Sequence, residues 1–301
     1  MQLIRGLHNL RPEHRGCVIT IGNFDGVHLG HQEVLAQVAD KAAELCLPSV
    51  LMTFEPYPSE FFQTGEIPPR LTRFREKMEA LRRFSIERIL SLRFDQKLSA
   101  LKAEDFIRQI LVDQLGARYV VIGDDFRFGK GRKGDFAMLK AAGEAHNFDV
   151  ASMRTFEIMG DRVSSTRIRH ALQSDELEFA DQLLGRPYRM SGRVAHGDKR
   201  GRTIGYPTAN IHLHRQASPL NGVYAVEMLG IRGEPVPGVA NIGVRPTVSG
   251  SRAQLEVHLF DFNDDIYGRH VQVEFRKKLR DEQRYESFVD MKAQIDADAQ
   301  Q

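Results

Sequence analysis

Two kinds of apolar pattern alternate along the first 185 residues. Short apolar runs have the pattern of buried parallel strands, at Cys17–Ile21, Ser49–Phe54, Arg88–Leu92, Tyr119–Ile122 and Val150–Met153. Between them, apolar residues at helical spacing predict helices over Val34–Leu45, Leu71–Phe84, Ala103–Leu115 and Phe136–His146. This alternation predicts a parallel sheet covered by helices on both faces, which binds ligands at the carboxyl ends of its strands.

The pattern changes near Leu184–Pro187. Beyond it, Gly, Pro, Asn and Asp turns separate short strand candidates at Tyr188–Val194, Val223–Leu229, Val236–Ile242, Gln254–Phe260 and His270–Phe275. One helix is predicted at the end, over Gln283–Ile295. About six strands predict a small closed β-barrel, because closure removes exposed sheet edges. We therefore expect an α/β chain with two domains, residues 1–185 and 186–301.

Composition narrows the functional classes. The 42 basic and 40 acidic residues give a net charge of +2, which argues against a dedicated nucleic-acid surface. Cys17 and Cys46 form neither a disulfide framework nor a Cys-rich metal site, and they suit a reducing compartment. No signal peptide or membrane-spanning run is visible. We expect a cytoplasmic protein without nucleic-acid or membrane partners, whose protein partners the sequence does not indicate.

The segment Gly22–Gln32 joins the first of these strands to a helix. The free N–H groups at a helix N-terminus favour an anion, and His28 and His31 lie on one side of the first turn. Gly22 and Gly30 leave room for a ligand close to the backbone. A zinc site would need a third protein ligand, and no third ligand is apparent nearby. The segment therefore predicts a phosphate site rather than a metal pair.

Three further segments carry candidate chemistry, and each has an ordinary alternative. Glu55 and Pro58 follow a strand, where prolines often only make a turn. Gly123–Gly129 brings carboxylates and phenylalanines to the sheet edge, although its acidic residues could simply be solvated. Arg162–Arg169 opens a helix that Ser164, Ser165 or Thr166 can cap, as on many surface helices. Together the three segments indicate a ligand site.

The barrel half has its own polar segment, Gly192–Ile211, which is rich in glycine and basic residues. It predicts a flap over phosphate, and the alternative is a solvated basic hairpin. Thr208 and Asn210 supply the hard oxygen ligands that suit Mg²⁺. Glu256 lies on the polar face of an alternating strand, where it could take a proton from an attacking hydroxyl.

The Gly22–His31 motif resembles the signature of the nucleotidylyltransferase superfamily. With the other three segments, it resembles the adenylyltransferase half of the bacterial bifunctional riboflavin kinase and FAD synthetase family. The resemblance implies a Rossmann-like nucleotidylyltransferase domain in which His28 and His31 contact the ATP phosphates. It also implies phosphate-binding roles for Gly22, Asn23, Gly30, Arg162, Ser165, Thr166 and Arg169. The implied flavin-binding residues are Glu55, Pro58, Asp125, Phe126 and Phe128, with Asp125 at a place where some members carry Asn.

The second half is similar to the riboflavin kinase domain of the same family, through the Gly201–Asn210 motif and the strand containing Glu256. The resemblance implies that Gly201 and Gly205 bind phosphate, that Thr208 and Asn210 hold Mg²⁺, that Glu256 is the general base and that Arg280 lies near the flavin. The implied reactions are the phosphorylation of riboflavin to FMN and the adenylylation of FMN to FAD plus pyrophosphate, with ATP as the co-substrate of both.

Two rival interpretations stay open from the sequence. One is an adenylyltransferase for nicotinate or pantetheine phosphates fused to an accessory barrel, and turnover of riboflavin would exclude it. The other is a flavin- or RNA-binding module without catalysis. RNA binding would show a steep dependence on salt concentration, whereas the nearly neutral composition predicts little.

Overall fold

The computed structural model describes residues 1–63, 65, 67–153, 156–196, 206–215, 217–247, 250–283, 285 and 288–300. The chain forms two compact units. Unit 1 contains Met1–Ile67 and Lys77–Val163, and unit 2 contains Pro68–Glu76 and Ser164–Gln301. The predicted boundary after residue 185 concerns domains of separate function and stays a prediction.

Unit 1 is built on a parallel sheet. Its strands are β1 (Gln2–Arg5), β2 (Cys17–Ile21), β3 (Ser49–Glu55), β4 (Arg88–Arg93), β5 (Ala117–Gly123) and β6 (Asp149–Met153), and a small hairpin follows as β7 (Glu157–Ile158) and β8 (Asp161–Arg162). The strand order is β1-β4-β3-β2-β5-β6, and every pair is parallel. The parallel sheet predicted from the sequence is therefore confirmed.

Helices cover both faces of this sheet. They are α1 (Leu29–Leu45), α2 (Pro58–Phe61), α3 (Phe74–Leu81), α4 (Gln96–Ser99), α5 (Ala103–Asp105), which continues as a π-helix over Phe106–Gln114, and α6 (Phe136–His146). Alternate residues of β2 point to opposite faces. Ile19 packs in a core cluster with Phe106 and Leu139, whereas Val18 packs in a second cluster with Leu35 of α1. The sheet is thus the middle of three layers.

The order in which strands are added to the sheet reverses at β2, although all the strands stay parallel. From β2 the chain proceeds to β3 and β4 on one side, and it then returns to β5 on the other side of β2. Such a switch point leaves a crevice at the carboxyl ends of the two strands, where ligands of open α/β sheets bind. The predicted segments after β2, β3 and β5 therefore begin at the same edge, on three adjacent strands.

Unit 2 contains a closed antiparallel barrel. Its strands are β9 (Arg189–Ala195), β10 (Thr208–His212), β11 (Gly222–Leu229), β12 (Val236–Thr247), β13 (Gly250–Leu259) and β14 (His270–Arg280). They close in the order β10-β13-β12-β11-β14-β9, because β9 pairs with both β10 and β14. The helices described in this unit are α7 (Ser165–Gln173), α8 (Leu177–Leu184) and α9 (Phe288–Gln300). The predicted barrel and final helix are confirmed.

A buried ion pair holds the segment Pro68–Glu76 within unit 2. Arg215, which is 6% exposed, donates from Nη2 to Glu76 Oε2 at 2.5 Å and from Nη1 to the carbonyl oxygen of Arg70 at 2.7 Å. Glu76 Oε1 accepts from the backbone N–H of Ser191 in β9 at 2.8 Å. The segment is therefore attached to the barrel by charge-assisted hydrogen bonds.

In the part of the chain that is described, no helix is long and apolar enough to cross a membrane.

Candidate functional site

The loop between β2 and α1 has an unusual backbone. Phe24, Gly26 and Val27 have φ values of 50°, 84° and 47°. A positive φ is uncommon for a residue with a side chain and is a genuine outlier for β-branched valine. Such strain persists only where the surroundings determine the conformation. Here Gln32 Nε2 donates to the carbonyl oxygen of Val27 at 3.0 Å, and Tyr57 OH donates to Asp25 Oδ1 at 3.4 Å.

The two histidines lie together at the N-terminus of α1. His28 is the N-cap, and its Nδ1 accepts from the backbone N–H of His31 at 3.3 Å. The two rings stack with their centroids 3.6 Å apart. Gly30 lies against this stack, and a Cβ added there would be 3.4 Å from the His28 ring. The predicted grouping of His28, His31 and Gly30 in one turn is what the structure shows.

His31 has features of a ligand-binding group. Its Nδ1 is buried, and no hydrogen-bond partner for it lies among the described residues. Burial holds the pKa of His31 well below its ordinary value, and the charges of His28, Lys77 and Arg162 lower the pKa further. A buried polar atom without a partner is rare and calls for a ligand or water. His31 is therefore held at the start of α1 with one ring nitrogen uncommitted among the described residues.

Arg162 lies beside this loop. Its Nη2 is 2.8 Å from Asp125 Oδ1 and its Nη1 is 3.7 Å from Asp124 Oδ1. These ion pairs connect the end of β8 to the loop after β5. The carbonyl oxygen of Val163, the next residue, would be 3.6 Å from a Cβ added to Gly30. The predicted cation is therefore close to the histidine turn, but its charge is now shared with two exposed carboxylates.

The predicted flavin-binding residues of unit 1 differ in exposure. Phe128 is 7% exposed and packs in the core 5.5 Å from the Phe106 ring, while half-buried Phe126 stacks on Phe128 at 5.5 Å. Asp125 is exposed. Glu55 ends β3 at a cis peptide bond to Pro56, and Pro58 begins α2. Only part of this set therefore presents surface to a ligand, and the flavin assignment stays a prediction.

Unit 2 contains the remaining residues predicted to bind the triphosphate. Ser164 caps α7 by accepting from the backbone N–H of Arg167 at 3.2 Å, which selects one of the three predicted caps. Ser165 and Thr166 are the first residues of α7. Arg169 Nε donates to the carbonyl oxygen of Pro69 at 2.7 Å. Their participation in a site with His28 stays a prediction.

A row of polar residues crosses three strands of the barrel. Glu256 on β13 is the register partner of Asn210 on β10 and of Asn241 on β12. Gln254 bridges two of the predicted residues, since its Nε2 donates to Glu256 Oε1 at 2.7 Å and to Asn210 Oδ1 at 3.0 Å. The neighbouring Leu255 and Val257 are buried, so this row lies on the face opposite the core.

Asn241 lies in the same row as Glu256 and Asn210, although the sequence predicts no role for it. The Oδ1 atom of Asn241 is buried without a hydrogen-bond partner in the described part of the chain. Sequence spacing places Asn241 two residues before Gly243, which says nothing about its neighbours on other strands. Pairing across strands joins residues far apart in sequence, so register had to come from the structure.

The barrel row suits a magnesium ion. Thr208 and Asn210 are two residues apart on β10, so their side chains lie on the same face. Glu256 on β13 is the register partner of Asn210. Hydroxyl, amide and carboxylate oxygens are the hard ligands that Mg²⁺ prefers alongside water and phosphate. Gly201 and Gly205, the predicted phosphate-binding glycines, lie outside the described residues.

Arg280 is the last residue of β14 and contacts the final helix. Its Nε donates to Asp298 Oδ1 at 3.0 Å and its Nη2 donates to Asp298 Oδ2 at 2.8 Å, and Asp298 is 3% exposed. This bidentate pair joins the end of β14 to α9. Arg280 therefore anchors the final helix, and its contact with flavin stays a prediction.

Family models match both parts of the chain. The model described as FAD synthetase matches residues 10–167, and the model described as riboflavin kinase matches residues 184–301. Together they account for most of the sequence. The segment between them contains most of α7 and α8.

Several curated proteins are similar over almost the full length. The bifunctional riboflavin kinase/FMN adenylyltransferase of Escherichia coli K12 is 53% identical over 99% of this chain and 96% of the relative. Proteins of the same description from Haemophilus influenzae and Pseudomonas fluorescens are 50% and 52% identical, covering 100% and 99% of this chain and 97% and 96% of those relatives.

One solved structure also matches. A crystal structure described as a macrolide-efflux protein from Streptococcus pneumoniae has a TM-score of 0.84 and 32% identity. The match covers 99% of this chain and 97% of the other. The two proteins therefore share an architecture along nearly their whole lengths.

Proposed function

The chain belongs to the bifunctional riboflavin kinase/FMN adenylyltransferase family, and on this premise we propose which residues carry out each of its two reactions. The enzyme phosphorylates riboflavin to FMN and adenylylates FMN to FAD. We assign adenylylation to a domain of residues 1–185 and phosphorylation to a domain of residues 186–301. The FAD synthetase and riboflavin kinase matches at 10–167 and 184–301 support this division.

In the adenylylation step, a phosphate oxygen of FMN attacks the α-phosphorus of ATP. The bond from that phosphorus to the oxygen bridging to the β-phosphate breaks, and pyrophosphate leaves. No proton transfer is needed, so positioning and charge stabilisation are sufficient. His28 and His31 contact the phosphates at the N-terminus of α1. The observation that carries this assignment is the stacked pair of His28 and His31 at the N-terminus of α1, where free N–H groups favour an anion.

Other residues complete the proposed adenylylation site. The phosphate loop supplies Gly22, Asn23 and Gly30. Further contacts with the triphosphate come from the cations and hydroxyls of Arg162, Ser165, Thr166 and Arg169. The residues that bind the flavin are Glu55, Pro58, Asp125, Phe126 and Phe128. Arg162 exchanges its carboxylate partners for phosphate oxygens when ATP binds. A guanidinium forms bidentate hydrogen bonds with either group, so the exchange retains its hydrogen bonds.

In the phosphorylation step, the 5′-hydroxyl of riboflavin attacks the γ-phosphorus of ATP and ADP leaves. Glu256 accepts the hydroxyl proton as general base. Thr208 and Asn210 would hold Mg²⁺, which when bound neutralises charge on the phosphates. Gly201 and Gly205 contact phosphate, and Arg280 lies near the flavin. The hydrogen bonds from Gln254 to both Asn210 and Glu256 support a single site on this face.

A time course tests the assignment of both reactions. Purified protein is incubated with riboflavin, ATP and Mg²⁺, and the flavins are separated by chromatography. FMN should appear first and then convert to FAD, and chelation of Mg²⁺ should stop FMN formation. If riboflavin is not phosphorylated while FMN is also inert, the two assignments fail.

A cytoplasmic location and the absence of nucleic-acid partners are further proposals, which rest on composition alone.

A further inference from the structure

Lys77 is a fully buried lysine beside the phosphate loop. It lies on α3 with 0% of its surface exposed. Its Nζ donates to the carbonyl oxygen of Asn23 at 2.9 Å and to Thr53 Oγ1 at 3.0 Å, and it lies 4.7 Å from the centre of the Tyr57 ring. Lysine is almost never fully buried, because desolvating an ammonium is costly unless the group is well bonded.

These contacts act on the strained part of the loop. Asn23 immediately precedes Phe24, the first of the loop residues with positive φ. The hydroxyl of Thr53 also donates to the Asn23 carbonyl oxygen, at 3.4 Å. One carbonyl therefore receives two donors that are linked to each other. Such a network over-determines the loop conformation, which strained backbone requires.

The ammonium of Lys77 also adds a positive charge close to His31. Its positive charge is one of the influences that lower the pKa of His31, after burial and the charge of His28. The charge of Lys77 therefore acts on the imidazole of His31. In a site shielded from water, a fixed cation stabilises phosphate charge more strongly than it would in solvent.

We propose that Lys77 is a positioning residue for nucleotidyl transfer, which fixes the loop of His28 and His31 through the Asn23 carbonyl. This inference rests on the proposed adenylylation site. Lys77 acts through this loop, since its Nζ contacts the backbone carbonyl of Asn23.

Steady-state kinetics of FAD formation from FMN and ATP test this role in Lys77→Met and Lys77→Arg. Lys77→Met should lower kcat by about 100-fold, the typical cost of a misplacement near 1 Å, with KM for FMN changed less than about threefold. Lys77→Arg should recover at least about tenfold of the lost kcat, because the charge and donors return. Riboflavin phosphorylation by the same samples should stay within about twofold, which shows that the loss is confined to the adenylylation domain. An unfolding transition of unit 1 that matches the unmodified protein shows that this domain is folded.

Two further variants keep the result interpretable. Lys140→Met, on the exposed face of α6, is the matched control and should behave as the unmodified protein. Thr53→Val keeps the lysine and removes the linking hydroxyl, so kcat should fall about fivefold, the effect of one hydrogen bond. An unchanged kcat in Lys77→Met or Thr53→Val overturns the inference, as does a loss expressed only in KM. If the unmodified protein makes no FAD from FMN, it is the proposed adenylylation site that fails.

Discussion

Replacing Glu256 by glutamine separates the two reactions of the enzyme. The amide cannot accept the proton of the riboflavin 5′-hydroxyl, so FMN formation loses its general base. A positioned base contributes about 10²- to 10⁴-fold, which corresponds to about 3 to 5 kcal/mol of activation free energy. FAD formation from added FMN should remain unchanged.

The structure explains why this substitution is clean. Glu256 Oε1 accepts from Gln254 Nε2 at 2.7 Å, and a glutamine Oε1 can accept the same bond. Gln254 therefore keeps its second contact with Asn210 at 3.0 Å, and the neighbouring metal-ligand candidate stays in place. The side chain lies outside the barrel core, so the free energy of unfolding should change by less than about 0.5 kcal/mol.

The assay measures FMN from riboflavin and, separately, FAD from FMN, both by chromatography. Glu227→Gln is the control, because Glu227 is also a strand carboxylate of the barrel, 2.7 Å from Arg276. Such partly exposed ion pairs contribute about 0 to 1 kcal/mol, so both reactions should continue. The general-base role is wrong if Glu256→Gln retains kcat within about threefold for FMN formation. The division of labour is wrong if FAD formation disappears with it.

Three other predictions concern the histidine pair, the ion pair between Arg215 and Glu76, and the carboxyl of Asp181. Replacing both His28 and His31 by alanine should remove FAD formation by at least about 100-fold and spare FMN formation, as measured with the two separate assays. Arg215→Met should lower the free energy of unfolding by about 3 to 5 kcal/mol in urea titrations, because Glu76 would keep a buried carboxylate without its guanidinium; equal midpoints would contradict this. Burial raises the pKa of Asp181 to about 6, so its stabilising effect is complete below its ordinary value of 3.8 and is lost as pH rises through 6; Asp181→Asn should therefore flatten the pH dependence of stability over this range.

Regular periodicity accounts for the parts of the fold that the sequence predicted well. Cys17–Ile21 and Phe136–His146 match their observed bounds, because a buried strand and a well-capped helix leave unambiguous patterns. Four strands were missed, and two of them, Glu157–Ile158 and Asp161–Arg162, are only two residues long. Gln2–Arg5 is only four residues long, and Thr208–His212 carries polar residues on one face, so it was interpreted as part of a flap.

The candidate site was predictable where it is local in sequence. His28, His31 and Gly30 share one helical turn, so their grouping follows from spacing alone. Lys77 could not be found in this way, since a lysine on a helix is ordinarily exposed and its partner Asn23 lies far away in the chain. The same reason applies to Gln254, whose two hydrogen bonds depend on strand register. Contacts between distant segments require the folded structure.

Barrel closure has a consequence for synthesis on the ribosome. The first barrel strand, Arg189–Ala195, pairs with the last, His270–Arg280, whereas the parallel sheet of unit 1 is complete at Met153. Domains fold as units while the chain emerges, and long-range strand pairing is slow. The sheet can therefore assemble while the barrel strands are still being translated. During that interval Arg189–Ala195 lacks its closing neighbour, and its exposed edge is the segment of the nascent chain most in need of protection from aggregation.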